Sequence, residues 1–190
     1  MTNKPNYSIM DKITLHDKTF RKFIFNSRIK EAIDEVADAI NRDFEGCNDV
    51  PVVICTLNGA LPFTGELFMR LKFNCELGSV KLSSYRGTES TGTVLTIQGL
   101  SEDVKGKRVI ACEDIVDTGN TILALKELLL ANGATEVKIC TMLLKPEVYD
   151  KDVKLDYVGM EIPNDFIVGY GLDYDQQGRN LKDIYTLVDD

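Results

Sequence analysis

Much of what this chain can be is settled by what it does not contain. No run in its 190 residues approaches the roughly 20 apolar residues of a membrane-spanning helix. The opening MTNKPNYSIM carries no secretory apolar core, so a cytoplasmic protein is expected and the Asn6-Tyr7-Ser8 sequon has no route to a glycan. His16 is the only histidine, so a histidine-based zinc cluster cannot form, and a surface or satisfied role rather than a catalytic one is expected for it. The five cysteines (Cys47, Cys55, Cys75, Cys112 and Cys140) are odd in number and show no CxxC spacing. Reduced, mostly buried thiols follow, rather than a disulfide framework. Asp-Thr-Gly occurs once, at Asp117, whereas an aspartic protease needs two such aspartates facing each other. Basic side chains are scarce: 22 against 30 acidic ones, for a net charge of −8. Nonspecific nucleic-acid binding is therefore not expected. A polyanionic small molecule is still compatible, if backbone N–H groups, a metal and a few placed cations receive it. Repeats, linkers and low-complexity tracts are also missing, which predicts one domain.

What is present alternates between strand and helix patterns. Ile29, Ala32, Ile33, Val36, Ala37 and Ile40 define an amphipathic helix running to about Phe44, with Asn26-Ser27 as its expected N-cap. PVVICTL, at residues 51–57, reads as a buried strand. A helix follows, with Pro62 in its first turn and Phe63, Leu67 and Leu71 on its inner side. Residues 75–85 and 93–98 read as a hairpin-like pair of strands around the polar loop RGTESTG. Residues 136–144 form another strand, and after Pro146 the pattern turns irregular. Such alternation predicts a mainly parallel α/β sheet.

The most informative segment is VIACEDIVDTGNT, residues 109–121. An apolar strand empties into Glu113 and Asp114. Two apolar residues and a third acid, Asp117, follow, then the turn Thr118, Gly119, Asn120, Thr121. Ile122, Leu125, Leu128 and Leu129 then fall on one helical stripe. This strand-turn-helix unit puts its loop at the C-terminal edge of a parallel sheet, where α/β proteins bind ligands. Its helix N-terminus offers N–H groups to a phosphate, and its acids suit ribose hydroxyls or Mg²⁺. Phosphate, sugar and metal together point to a phosphorylated ribose.

The segment resembles the 5-phosphoribosyl diphosphate (PRPP) motif of the type I phosphoribosyltransferases. The likeness extends from about Val52 to Arg179 through separated motifs in the family's order, and is greatest to the 6-oxopurine (hypoxanthine-guanine) subfamily. It implies a single domain over residues 1–190 with the α/β type I phosphoribosyltransferase fold. A mainly parallel central sheet flanked by helices would form the core (about 27–145). A small hood would come from the C-terminal segment and N-terminal residues (about 146–190 and 1–20). The implied reaction is purine salvage: transfer of the phosphoribosyl group from PRPP to a 6-oxopurine.

The resemblance also implies roles. Glu113 and Asp114 would hold the ribose hydroxyls, directly or through Mg²⁺. Asp117, Thr118, Gly119, Asn120 and Thr121 would cradle the 5′-phosphate, with Asp117 as general base toward purine N7. Leu57, Asn58 and Gly59 resemble the diphosphate loop, with Leu57–Asn58 as the place for a cis peptide. Many members carry Lys where this chain has Asn58, and some carry a basic residue at Asn120. Ser84 and Tyr85 open a segment like the family's lid, which would keep water from a cationic ribosyl species. Lys145 would donate to purine O6 and so reject adenine. Phe166 would stack on the base, Ile167 would offer backbone to its edge, and Asp173 would serve a second Mg²⁺. Arg179 would contact diphosphate, beside Asn180 where the family usually has an acid. PRPP and the purine are the expected partners, with homodimers or homotetramers and no membrane or nucleic acid. A xanthine-preferring enzyme and a PRPP-sensing nucleic-acid-binding regulator are the alternatives.

Overall fold

The computed structural model describes residues 12–84 and 94–188. Chain order is β1 (Lys12–Leu15), β2 (Lys18–Ile24), α1 (Asn26–Asp43), β3 (Val52–Thr56), α2 (Leu61–Phe68), β4 (Glu76–Ser84), β5 (Val94–Gln98), β6 (Arg108–Val116), α3 (Asn120–Ala131), β7 (Glu136–Leu144), β8 (Tyr157–Glu161), β9 (Ile167–Val168) and β10 (Ile184–Leu187). Two sheets result. The larger runs β5-β4-β3-β6-β7-β8, parallel throughout except for antiparallel β5 at its edge. The smaller runs β1-β2-β10-β9 and is antiparallel.

Each face of the larger sheet is sealed by helices, as a parallel sheet requires. The α1 stripe Ile29, Ala32, Ile33, Val36, Ala37, Ile40 packs with Phe63 and Leu67 of α2 over Val53, Ile110, Cys112 and Cys140. Strand alternation sends Ile54, Val109, Ala111 and Ile139 to the other face, where Ile122, Leu125 and Leu129 of α3 cover them. Cys55, Cys112 and Cys140 are free and buried, as composition suggested.

Two local expectations are corrected. Asn26 does not cap α1; it is the first helical residue, and Phe25 precedes it without a side-chain cap. The cap comes from 157 residues away: the Asn26 amide donates to Asp183 Oδ1 at 2.7 Å, and the Asn26 side chain donates to the Lys182 carbonyl. The chain after Pro146, expected to be irregular, places β8 beside β7. Asp156 starts that pairing, since its amide donates to the Ile139 carbonyl and its Oδ2 accepts the Ile139 amide, both at 2.9 Å.

Asp183 therefore ties the smaller sheet to α1. Burial would raise its carboxyl, but Lys22 Nζ at 2.9 Å and the Asn26 amide hold it below the usual carboxylate range. A depressed carboxyl stabilises above its unfolded value and loses that contribution as pH falls through the folded value. Asp183→Ala should cost about 2 kcal/mol at pH 7. In urea titrations that deficit should shrink below about pH 4. A deficit independent of pH would show that the charge is not what matters.

Candidate active site

The C-terminal ends of β3, β6 and β7 open on one side of the larger sheet, and the residues singled out above gather there. Beyond β6 lies a concavity of about 200 Å³ lined by residues 113–122. Asp117 and Thr118 are exposed there, and Asn120 and Thr121 half-buried. The turn is left-handed at Gly119 (φ 84), which puts Asn120 at the first position of α3 and starts the helix two residues before its apolar stripe. Without a side-chain cap, the first N–H groups of α3 remain available to an anion.

Glu113 and Asp114 follow the strand's alternation into different surroundings. Glu113 is only 6% exposed, and its Oε2 is buried without a hydrogen-bond partner. Burial first, and the neighbouring Asp114 second, push its carboxyl well above the usual range. Asp114 is pushed up to about 6, again mainly by burial, although its Oδ1 accepts the Ile115 amide and Arg179 draws it down. A Cβ on Gly59 would lie 1.6 Å from Asp114 Oδ2. Only glycine at 59 lets the loop after β3 lie against this carboxylate. The Leu57–Asn58 peptide in that loop is cis, at the expected bond.

Gly171 brings in the C-terminal segment by the same device. It is left-handed (φ 99), and a Cβ there would stand 2.0 Å from the Gly59 carbonyl oxygen. Arg179 donates to the Gly171 carbonyl at 2.8 Å and pairs with Asp173 at 2.7 Å. Asp173 thus orients Arg179 in the absence of an acid at Asn180, which is exposed. Asp173 and Arg179 both act on the Asp114 charge, so the acidic pair and the C-terminal loop form one electrostatic unit. Sequence reading missed the Gly59–Gly171 contact. Its signal was present, two glycines within motifs, but only folding shows what each glycine must admit.

At the end of β7, Lys145 is 7% exposed and its Nζ lies 3.1 Å from Asp117 Oδ1. Parallel pairing sets Val116 beside Leu144, and Asp117 and Lys145, the residues immediately after them, are thereby brought together. Ile167 is buried in the main core. Phe166 stays 44% exposed, with its ring against Tyr174 at 5.8 Å and Phe20 at 6.1 Å. Ser84 ends β4, and Tyr85 lies outside the described residues. Among the described residues no three His, Cys, Asp or Glu side chains converge on a metal position. Half-buried Asp114 and the unpartnered Glu113 Oε2 instead suit an ion that takes one or two protein carboxylates and completes its shell from substrate oxygens, as Mg²⁺ does.

A carboxyl held up by burial loses stability as pH rises from its unfolded value to its raised folded value, and the cost is complete above that, so removing the charge should stabilise the empty protein. Asp114→Asn should raise ligand-free stability by about 1–3 kcal/mol at pH 7.5, with the gain vanishing near pH 4. Chemical denaturation at both pH values measures it. A loss of stability at pH 7.5 would contradict the electrostatics described.

Comparison with known proteins agrees with this geometry. The family model for the phosphoribosyl transferase domain matches residues 24–175. Hypoxanthine-guanine phosphoribosyltransferase of Lactococcus lactis is 41% identical over 173 residues, 90% of this chain and 93% of the relative. That of Streptococcus thermophilus is 37% identical over 176 residues, 92% and 97%. A crystal structure of a hypoxanthine-guanine phosphoribosyltransferase from Bacillus anthracis, with HEPES in its active site, superposes with a TM-score of 0.82 at 38% identity, covering 88% of this chain and 98% of that one. The fold is that of the type I phosphoribosyltransferases, and the chain belongs to this family in its hypoxanthine-guanine branch.

Proposed function

We propose that this protein transfers the 5-phosphoribosyl group of PRPP to hypoxanthine, guanine or both, giving IMP or GMP and diphosphate, a purine-salvage reaction. The observation that carries this reading is the buried Lys145 ammonium 3.1 Å from the exposed Asp117 carboxylate, beside an anion-ready helix N-terminus. A 6-oxopurine presents an acceptor at O6 and a proton at N7, which a lysine and a carboxylate can meet together.

In the empty protein these two groups satisfy each other. The arriving base exchanges their contact for two of its own: Lys145 turns to O6 and Asp117 to N7–H. Asp117 takes the N7 proton as N9 attacks C1′ and the C1′–O bond to diphosphate breaks. Adenine offers a donor where Lys145 requires an acceptor, leaving a buried ammonium unmatched. Phe166 presents an exposed ring for stacking, and Ile167 its backbone for the base edge. The turn Asp117, Thr118, Gly119, Asn120, Thr121 receives the 5′-phosphate through backbone N–H groups and hydroxyls. Glu113 Oε2, buried and without a partner, is a ready acceptor for a ribose hydroxyl. Leu57, Asn58 and Gly59 meet the diphosphate together with Arg179, which Asp173 and the Gly171 carbonyl already orient. Glu113, Asp114 and Asp173 would hold Mg²⁺ from the protein side, and the ion would supply positive charge that stabilises the leaving diphosphate. The smaller sheet, which carries Phe166 at the entry to β9, forms the hood. Exposed Leu61 and Met69 near the two ends of α2 are consistent with a homodimer or homotetramer.

Diphosphate release with PRPP and Mg²⁺ should occur with hypoxanthine or guanine and not with adenine or uracil. Release with adenine would remove Lys145 from base selection, and silence with every base would reject the reading. Asp117→Asn should lower kcat by about 10²–10⁴ while PRPP binding is largely kept. Unchanged turnover would take Asp117 out of the mechanism. Lys145→Ala should raise the KM for the base more than the KM for PRPP, and equal losses would contradict its assignment.

A further inference from the structure

The concavity at the start of α3 poses an electrostatic problem. Its lining, residues 113–122, carries the carboxyls of Glu113, Asp114 and Asp117 and no basic side chain. The helix N-terminus contributes only about half a positive charge, and Lys145 is engaged with Asp117. A phosphate settling here needs a cation from outside the motif.

The chain beyond β7 brings one. The amides of Val148 and Tyr149 donate to the Lys145 carbonyl at 3.3 and 3.2 Å, which curls the segment back toward the turn. The Tyr149 hydroxyl donates to the carbonyl of Val153, which is itself buried. That bond closes a short loop with Lys151 at its centre. The loop lies on the turn: a Cβ on Gly119 would stand 2.5 Å from Tyr149 Cε2 and 2.8 Å from Lys151 Cγ. The lysine stem is thus laid over the residue immediately before α3. Its ammonium pairs with Asp150 at 2.7 Å, but that carboxylate is 66% exposed, so solvent screens the pair. From Cγ, three further bonds give the ammonium a reach of about 4 Å. Glu113, buried with an unpartnered oxygen in the same concavity, independently marks it as a place shaped for a polar ligand.

We propose that Lys151 is a phosphate-binding residue of this site, exchanging Asp150 for a phosphate monoester seated on the first turn of α3. The proposal rests on the reading of that turn as the 5′-phosphate cradle. Binding of inosine 5′-monophosphate and of inosine is compared by calorimetry for the wild type and Lys151→Met, which keeps the stem over Gly119 and removes the charge. The wild type should prefer the monophosphate, and the variant should bind it about tenfold more weakly while inosine binding is unchanged. A variant that binds the monophosphate like the wild type overturns the role of Lys151 and leaves the cradle intact. A variant weakened equally toward both ligands overturns it too, by showing a structural effect. A wild type with no preference for the monophosphate overturns the cradle and the proposal with it.

Discussion

Glu113 and Asp114 end a buried strand with two adjacent carboxyls, and their desolvation is the constraint to which the surrounding segments are fitted. Gly59 lacks a side chain because Asp114 occupies the space one would fill, and Gly171 lacks one because the Gly59 backbone does. Arg179 is held by Asp173 and the Gly171 carbonyl close enough to draw the Asp114 carboxyl down. Each contact joins a different part of the chain to the mouth of one sheet. The molecule accepts a destabilised pair of acids there, as functional sites commonly do.

The proposed ligand makes this arrangement intelligible. A phosphorylated sugar diphosphate is a polyanion, and the protein that would bind it has a net charge of −8. Cations are placed individually, each on a separate element: Lys145 at the end of β7, Arg179 in the loop before β10, Lys151 in the loop before β8. Two of the three are engaged with carboxylates of the site itself, Asp117 and Asp173. Ligand binding on this reading is an exchange of partners, in which buried or half-buried charges are seldom without one. The parallel order β3-β6-β7 makes the exchange possible, since it brings the loops after these strands to the same edge.

Much of this was legible in the sequence because local rules and tertiary demands coincide at the motifs. β7 spans Glu136–Leu144, the bounds expected from the sequence, and the α1 stripe from Ile29 to Ile40 is buried residue for residue. What was not legible depends on distant partners. Asn26 has the chemistry of an N-cap but yields that role to Asp183, which no local pattern could announce. β8 is short and interrupted by Gly159, yet Asp156 fastens it to Ile139 and a Cβ at 159 would meet the Met142 carbonyl oxygen at 2.7 Å. Asn180 stands where the family usually has an acid beside Arg179. The structure answers with Asp173, six residues earlier in the same loop.

On this reading the acidic mouth receives a polyanion only when positive charge comes with it. The most direct test is the melting temperature of the wild-type protein with PRPP alone, with Mg²⁺ alone and with both. PRPP and Mg²⁺ together should give a concentration-dependent rise that neither produces singly. The full rise with PRPP in the presence of a metal chelator would contradict it.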